Sequence, residues 1–161
     1  MAFDTRLARS VVRDPLHWLA FGLGTGLSPV APGTAGSMLG VLLAWQTSSL
    51  GIEVQVVLAA ALMLTGIPIC GASARRIGVH DHPGIVWDEI AAMYAVLIVA
   101  PDGAIGWAAA FLLFRLFDIW KPWPIRDLDH RMRGGLGIML DDIIAALYTA
   151  LLLGLWGWLT R

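Results

Sequence analysis

The stretch FRLFDIWKPWPIRDLDHRMRGGLGIMLDD, residues 114–142, determines how the rest of this chain is interpreted. It joins the end of one apolar segment to the start of the next and concentrates charge in a strongly apolar sequence. Charged side chains inside the ends of apolar segments are costly unless they pair or bind something. The stretch and the similar cluster VHDHPGIVWDE, residues 79–89, therefore predict a binding site. The charged residues of residues 114–142 are Arg115, Asp118, Lys121, Arg126, Asp127, Asp129, Arg131, Arg133, Asp141 and Asp142.

The composition favours a membrane-embedded protein. Of the 161 residues, 58% are hydrophobic and 14% are charged, and the mean hydropathy is +0.73, whereas soluble domains have about 25% charged residues. The length predicts a single domain, residues 1–161. The net charge of -1 provides no basic field, so nucleic acid is not an expected partner. Cys70 is the single cysteine, so no internal disulfide forms and no cysteine pair suggests zinc.

Five apolar segments predict helices, at residues 35–50, 54–74, 85–100, 103–120 and 138–160. Alanine and leucine dominate them and two-residue alternation is absent, which argues against strands. A full membrane span needs about 20 apolar residues, so the second segment qualifies, and the fifth does if its aspartates lie at the interface. The other three are short. The predicted fold is an all-α, membrane-embedded bundle of about five to six helices, some short or re-entrant.

The positions of the basic residues predict the orientation. Residues 1–14 form a basic, amphipathic N-terminal segment, either a helix on the membrane surface or a frayed terminus. Every other lysine or arginine except Arg161 lies in residues 75–84 or 115–137. Five crossings put these regions on one side, and the positive-inside rule assigns that side to the cytoplasm. The same alternation places five acids near that face: Asp88, Glu89, Asp118, Asp141 and Asp142.

These acids supply enough carboxylates for a hard cation. Asp88–Glu89 and Asp141–Asp142 are adjacent pairs near predicted helix starts, and Asp118 lies near a helix end. Mg²⁺ takes one or two carboxylates together with phosphate oxygens and water. Alternatively, acids at helix starts only complement the helix dipole. That alternative explains one pair better than it explains five acids converging in an apolar chain.

Cations and glycine-rich backbone near the acids indicate a phosphate group. Arg115, Asp118 and Lys121 are spaced by three and share a helical face, and Pro122 ends that helix. A cation beside metal-binding acids suits a phosphate dianion. The alternative is a structural Arg–Asp pair with a snorkelling lysine. Residues 22–40 are rich in glycine, proline and hydroxyls, and such loops can cradle an anion with backbone N–H groups.

The remaining motifs are less specific. Trp120 and Trp123 are expected to anchor the protein at the interface between membrane and water. His80 and His82 lack the further ligands of a zinc site, so a loop histidine that orders the nearby acids is favoured. Glycines in residues 134–137 allow a close approach of backbone to ligand, or only a flexible turn. The sequence contains no nucleophile motif, so a metal-activated water is the simplest hydrolytic nucleophile.

Four stretches in this order resemble the bacterial phosphatidylglycerophosphatase A family: GLGTGLSPVAPGTAGS, VHDHPGIVWDE, FRLFDIWKPWPI and GGLGIMLDD. The similarity spans about residues 18–146. It implies an all-helical, multi-pass protein of the bacterial inner membrane. It also implies Mg²⁺-dependent removal of the terminal phosphate of phosphatidylglycerophosphate, which gives phosphatidylglycerol. By position, the family's acidic residues correspond to Asp88, Glu89, Asp118, Asp141 and Asp142. Its hydroxyl and basic residues correspond to Ser28, Thr34, Ser37, Arg115 and Lys121.

The residues and the resemblance together assign roles. The predicted ligands of one or two Mg²⁺ ions are Asp88, Glu89, Asp141 and Asp142. Asp118 is either a further ligand or the general base, and Lys121, with Arg115, neutralises charge that develops on the phosphoryl oxygens. The substrate-binding set is completed by Ser28, Thr34, Ser37 and His80.

Two other functions compete with this hypothesis. A small ion-coupled transporter would use intramembrane carboxylates, but such sites usually lie near the bilayer midplane and often between repeats. Here the acids lie at segment ends and the sequence shows no repeat. A lipid phosphotransferase shares the metal and the phosphate, but its spaced-aspartate signature is not found. The number of metal ions, the general base, the acyl-chain preference and the oligomeric state stay open.

Overall fold

The computed structural model describes residues 5–79, 82–125, 132 and 134–159, and these residues form helices and no strand. The prediction of an all-α fold is therefore confirmed. Helices α3 to α7 correspond to the five apolar segments, with ends that differ by a few residues. The elements are α1 (Thr5–Arg13), α2 (Pro15–Ala20), a 3-10 helix (Gly22–Leu27), α3 (Pro32–Thr47), α4 (Ile52–Ile77), α5 (Trp87–Val99), α6 (Ala104–Trp120) and α7 (Gly135–Leu159).

Glycine and proline divide the chain before α3 into short elements. Asp14 caps α2, because its Oδ1 accepts a hydrogen bond of 2.9 Å from the Leu16 amide. The 3-10 helix is kinked at Leu23 and Gly24, which have positive φ angles of 56° and 97°. Ala31 is also left-handed, with φ 48°, immediately before α3 begins. After these turns, the first residues of α3 face the start of α5, where a Cβ atom at Gly33 would meet Glu89.

Helix α5 lies at the centre of the bundle and packs against α3, α4, α6 and α7. Most of its side chains are buried. Two side-chain hydrogen bonds connect α5 to its neighbours: Trp87 Nε1 donates to the Leu62 carbonyl of α4 at 3.0 Å, and the Tyr94 hydroxyl shares a bond of 3.0 Å with the Thr47 hydroxyl of α3. The start of α5, which carries Asp88 and Glu89, is therefore held against α4.

Helix α7 approaches α4 closely at its first residue. A Cβ atom at Gly135 would overlap the carbonyl oxygen of Ile67, so glycine is required for this contact. The close approach places the second turn of α7, with Asp141 and Asp142, beside the start of α5.

Two of the described helices, α4 and α7, are long and apolar enough to cross a membrane. Helices α3, α5 and α6 have 16, 13 and 17 residues, fewer than the roughly 20 residues of a full span. Large apolar side chains are exposed on the outer faces of the bundle, for example at Leu64, Ile105 and Leu151. Extensive exposed apolar surface marks a contact with lipid or with protein.

Candidate functional site

A cavity of about 320 Å³ lies where the start of α3, the start of α5, the end of α6 and the second turn of α7 meet. The structure brings all five predicted acids and both predicted cations, Arg115 and Lys121, to this one cavity. The lining residues are Ala31, Pro32, Gly33, Pro83, Ile85, Asp88, Glu89, Arg115, Asp118, Ile119, Lys121, Asp141 and Asp142.

Three carboxylates form the centre of the cavity. One oxygen each of Asp88, Glu89 and Asp142 lies within 4.8 Å of the other two. Asp88 and Asp142 are buried, and Asp142 is only 2% exposed. Glu89 Oε2 and Asp142 Oδ2 are buried and have no hydrogen-bond partner among the described residues. Buried carboxylate oxygens without donors are costly, and a divalent cation would satisfy them.

The donor set of this group identifies the kind of ion that fits. Asp88, Glu89 and Asp142 offer only oxygen atoms, which suit Mg²⁺, Ca²⁺ or Mn²⁺ rather than zinc. Their concentrated negative charge in a largely buried location also favours binding of a divalent cation. The described residues therefore fit a hard divalent cation.

Asp141 faces a different partner from its neighbour Asp142. Lys121 Nζ donates a hydrogen bond of 2.6 Å to Asp141 Oδ2. Adjacent residues on a helix diverge by about 100°, so one aspartate meets the lysine while the other joins the carboxylate group. Lys121 ends α6 in a left-handed conformation, with φ 46°, which directs the chain and its ammonium across to α7. Direct ligation of a metal by Asp141 stays a prediction.

Arg115 connects three helices at the edge of the cavity. Its Nη1 donates to Asp118 Oδ2, and it donates to Ser37 Oγ at 3.4 Å. The same nitrogen lies 3.9 Å from Glu89 Oε1. Ser37 in turn donates to the carbonyl of Gly33 at 2.9 Å. The Arg–Asp pair that the spacing predicted is thus part of the cavity wall, and Ser37 contacts the site through Arg115.

Two other predicted substrate-binding residues, Ser28 and Thr34, lie outside the cavity lining. The Ser28 hydroxyl donates to the carbonyl of Val30 at 2.7 Å, and neither Ser28 nor Thr34 lines the cavity. Their side chains are near the start of α3 but do not meet the carboxylates. His80 lies outside the described residues. Its substrate-binding role, like those of Ser28 and Thr34, stays a prediction.

His82, the second histidine of this loop, is placed in a turn before α5. Its Nδ1 accepts a hydrogen bond of 3.0 Å from the Gly84 amide, and its ring centroid lies 5.6 Å from that of Phe21. These contacts connect the loop before α5 to the segment before the 3-10 helix. Within the described chain, His82 is therefore a support of the cavity wall.

Gly33 could not be singled out among the many glycines of the sequence. A Cβ atom there would overlap Glu89 Oε1 and would lie 3.2 Å from both terminal nitrogens of Arg115. Glycine at this position therefore lets α3 approach the charged group. Ile85 and Ile119, which form apolar walls, were also missed, because isolated isoleucines in apolar segments carry no signal.

The fold and the cavity define an all-helical protein in which buried carboxylates and two cations share one pocket. The sequence model of phosphatidylglycerophosphatase A matches residues 18–156. Phosphatidylglycerophosphatase A of Escherichia coli is 41% identical over 155 residues, covering 91% of this chain and 86% of that protein. The protein of the same name in Haemophilus influenzae is 42% identical over 156 residues, covering 94% of each chain. The chain belongs to the phosphatidylglycerophosphatase A family and is a phosphatase, which confirms the resemblance.

A further relative has a different name. A protein of Bacteroides thetaiotaomicron described as a putative phosphatidylinositol-3-phosphatase is 32% identical over 154 residues, covering 85% of this chain and 90% of that protein. No solved structure matches the chain.

Proposed function

We propose that this protein is a Mg²⁺-dependent phosphatase that hydrolyses the terminal phosphate of phosphatidylglycerophosphate. The products are phosphatidylglycerol and inorganic phosphate, and the reaction belongs to glycerophospholipid biosynthesis. One observation carries the proposal: Asp88, Glu89 and Asp142 share a cavity with Arg115 and Lys121. The names of the relatives from Escherichia coli and Haemophilus influenzae support the choice of substrate.

Asp88, Glu89 and Asp142 would hold the cation. Bound there, Mg²⁺ would act as a Lewis acid on the phosphate and activate a water molecule for hydrolysis. The protein contributes a rigid carboxylate group, because Trp87 fixes the start of α5 and Gly135 fixes the start of α7. Rigid placement of ligands avoids reorganisation during the reaction.

Lys121 and Arg115 bind and orient the phosphate. The Lys121 ammonium is held at the cavity by Asp141, so it is positioned to meet phosphoryl oxygens as their negative charge increases. The Arg115 guanidinium is held at the same cavity by Asp118 and Ser37. Asp118 is the candidate for a further metal ligand or for the general base.

The protein is proposed to reside in the bacterial inner membrane, with several crossings and the cavity at the cytoplasmic face. Helices α4 and α7 meet the length and hydropathy of a span. The ion pair of Arg76, at the end of α4, with Asp14 shows that two of the basic regions lie side by side. This agrees with the single basic face that the sequence predicts. Phosphatidylglycerophosphate and the surrounding phospholipid are the expected partners.

Phosphate release by the purified protein tests this function. Phosphatidylglycerophosphate in detergent micelles is supplied with Mg²⁺ and, separately, with EDTA, and both inorganic phosphate and phosphatidylglycerol are measured. Release of both products that requires the cation is the expected result. Equal release in EDTA would overturn the role of the carboxylates, and no release with any divalent cation would favour the transporter. Phosphatidylinositol 3-phosphate, supplied in parallel, tests the activity named for the Bacteroides relative.

A further inference from the structure

One face of α6 is apolar, exposed and continuous from the first turn of the helix to the cavity. We call this face the outer stripe: it comprises Ile105, Leu112, Leu116 and Ile119, which are 79%, 67%, 52% and 71% exposed. Their spacing of seven, four and three residues places them on one side of the helix. The opposite side of α6 is buried at Gly106, Ala110 and Phe114.

The outer stripe ends in the wall of the cavity. Ile119 both lines the cavity and is largely exposed. Two residues later, Lys121 lines the same cavity with its ammonium beside Asp141. Within less than one helical turn, the surface of α6 therefore changes from exposed hydrocarbon to a cation. A molecule that complements this surface has a hydrocarbon tail and an anionic head.

The other apolar walls of the cavity do not continue in the same way. Ile85 is buried, Pro83 and Ala31 lie in the connections that precede α5 and α3, and Pro32 is the first residue of α3. Among the lining residues that the structure describes, Ile119 is the large aliphatic side chain that also belongs to an exposed helix face. The exposed apolar surface of α6 is thus the one that we find to continue into the cavity wall among the lining residues described.

We propose that the outer stripe of α6 is where an acyl chain of the phosphomonoester lipid lies while its headgroup occupies the cavity. This inference rests on the proposed function. The stripe contributes orientation rather than affinity, because hydrocarbon contacts with the helix replace equally apolar contacts with other lipids. The headgroup, held by Lys121 and Arg115, fixes which helix its own tail follows. A phosphodiester lipid lacks the terminal phosphate and has no such preference.

Photo-crosslinking in lipid nanodiscs tests the stripe without requiring turnover. Wild-type protein in phosphatidylcholine nanodiscs with Mg²⁺ receives phosphatidylglycerophosphate that carries a diazirine in one acyl chain, and it is irradiated immediately. Phosphatidylcholine with the same diazirine chain is the matched control probe. Labelled peptides from residues 112–119 of α6 are compared with those around Val57 and Leu64, which are similarly exposed on α4.

The phosphomonoester probe is expected to label α6 several-fold more, relative to α4, than the phosphatidylcholine probe does. Excess unlabelled phosphatidylglycerophosphate with short acyl chains should remove this enrichment, because it occupies the cavity. The same α6-to-α4 ratio for both probes would overturn the proposal. Enrichment on α6 in a protein that releases no phosphate would contradict the proposed function but would support acyl-chain binding at the outer stripe. Failure of the proposed function and failure of this inference are therefore distinguishable.

Discussion

Replacing Gly33 by alanine should damage the site without unfolding the protein. The new methyl group would overlap Glu89 Oε1 and would lie 3.2 Å from both terminal nitrogens of Arg115. Glu89 and Arg115 must therefore move apart from α3, by an amount on the order of 1 Å. A misplacement of that size costs about 100-fold in rate when catalytic groups depend on positioning. Glu89 belongs to the carboxylate group, so the Mg²⁺ concentration needed for half-maximal activity should also rise.

The effect of this substitution on stability should be small. Overpacking costs about 1–3 kcal/mol, whereas replacing glycine by alanine inside a helix gains roughly 0.5–1 kcal/mol. Because Gly33 lies in α3, the gain offsets part of the cost and leaves a net loss of roughly 0–2.5 kcal/mol. The thermal unfolding midpoint in detergent should therefore change by only a few degrees.

Gly154→Ala supplies the matched control for Gly33→Ala. Gly154 lies in α7, and a Cβ atom there would meet nothing within 4 Å. The assay is the Mg²⁺ dependence of phosphate release, measured on both variants beside the wild type, with thermal unfolding in the same detergent. The control should keep wild-type kcat. A Gly33→Ala protein with wild-type kcat and Mg²⁺ dependence would refute the argument that α3 positions Glu89.

Three further substitutions test separate contacts. Lys121→Met should lower kcat about 100- to 1,000-fold, as expected for loss of one preorganised group that stabilises phosphoryl charge. An unchanged kcat would show that Lys121 does not stabilise this charge. Trp87→Phe loses the hydrogen bond to the Leu62 carbonyl, so unfolding in denaturant should show about 1 kcal/mol less stability; an unchanged midpoint would contradict the contact. The amide of Leu16 lowers the pKa of Asp14, so the stabilisation is complete above the ordinary pKa of an aspartate and is lost as the pH falls through the lowered value. The stability difference between wild type and Asp14→Asn should therefore shrink in acid, and a difference independent of pH would oppose this account.

The helices were predictable because their signals are local. Long apolar runs rich in alanine and leucine mark α4 and α7, and Pro122 marks the end of α6 within a few residues. The short elements before α3 follow from glycine and proline in the same way. Confinement of charge to segment ends also made a single acidic site predictable, because helices that alternate in direction bring alternate ends together.

The arrangement inside the cavity was not predictable from the sequence. Asp141 and Asp142 are chemically identical neighbours, and only the rotation of α7 about its axis decides that one meets Lys121 and the other joins Asp88. That rotation depends on contacts such as the approach of Gly135 to Ile67, which join residues far apart in the chain. Local patterns contain no information about such tertiary contacts.

The role of Gly33 was not predictable from local patterns either. The glycine-rich segment suggested backbone close to a ligand, whereas the structure places a glycine against a carboxylate and a guanidinium. The hydroxyls of Ser28 and Thr34 were plausible phosphate donors by composition, yet the turn after the 3-10 helix leaves them outside the cavity wall. Sequence composition thus identified a segment that borders the cavity but not which of its atoms face it.

Direct titration of a divalent cation tests the central claim, that Asp88, Glu89 and Asp142 hold the ion that phosphate release requires. Binding of Mn²⁺ to the purified protein in detergent is measured by calorimetry for wild type, Asp142→Asn and Asp102→Asn, the last an exposed aspartate between α5 and α6. Saturable binding is expected in wild type and Asp102→Asn, with loss of both binding and phosphate release in Asp142→Asn. Wild-type affinity in Asp142→Asn, with activity preserved, would show that these carboxylates do not hold the required ion.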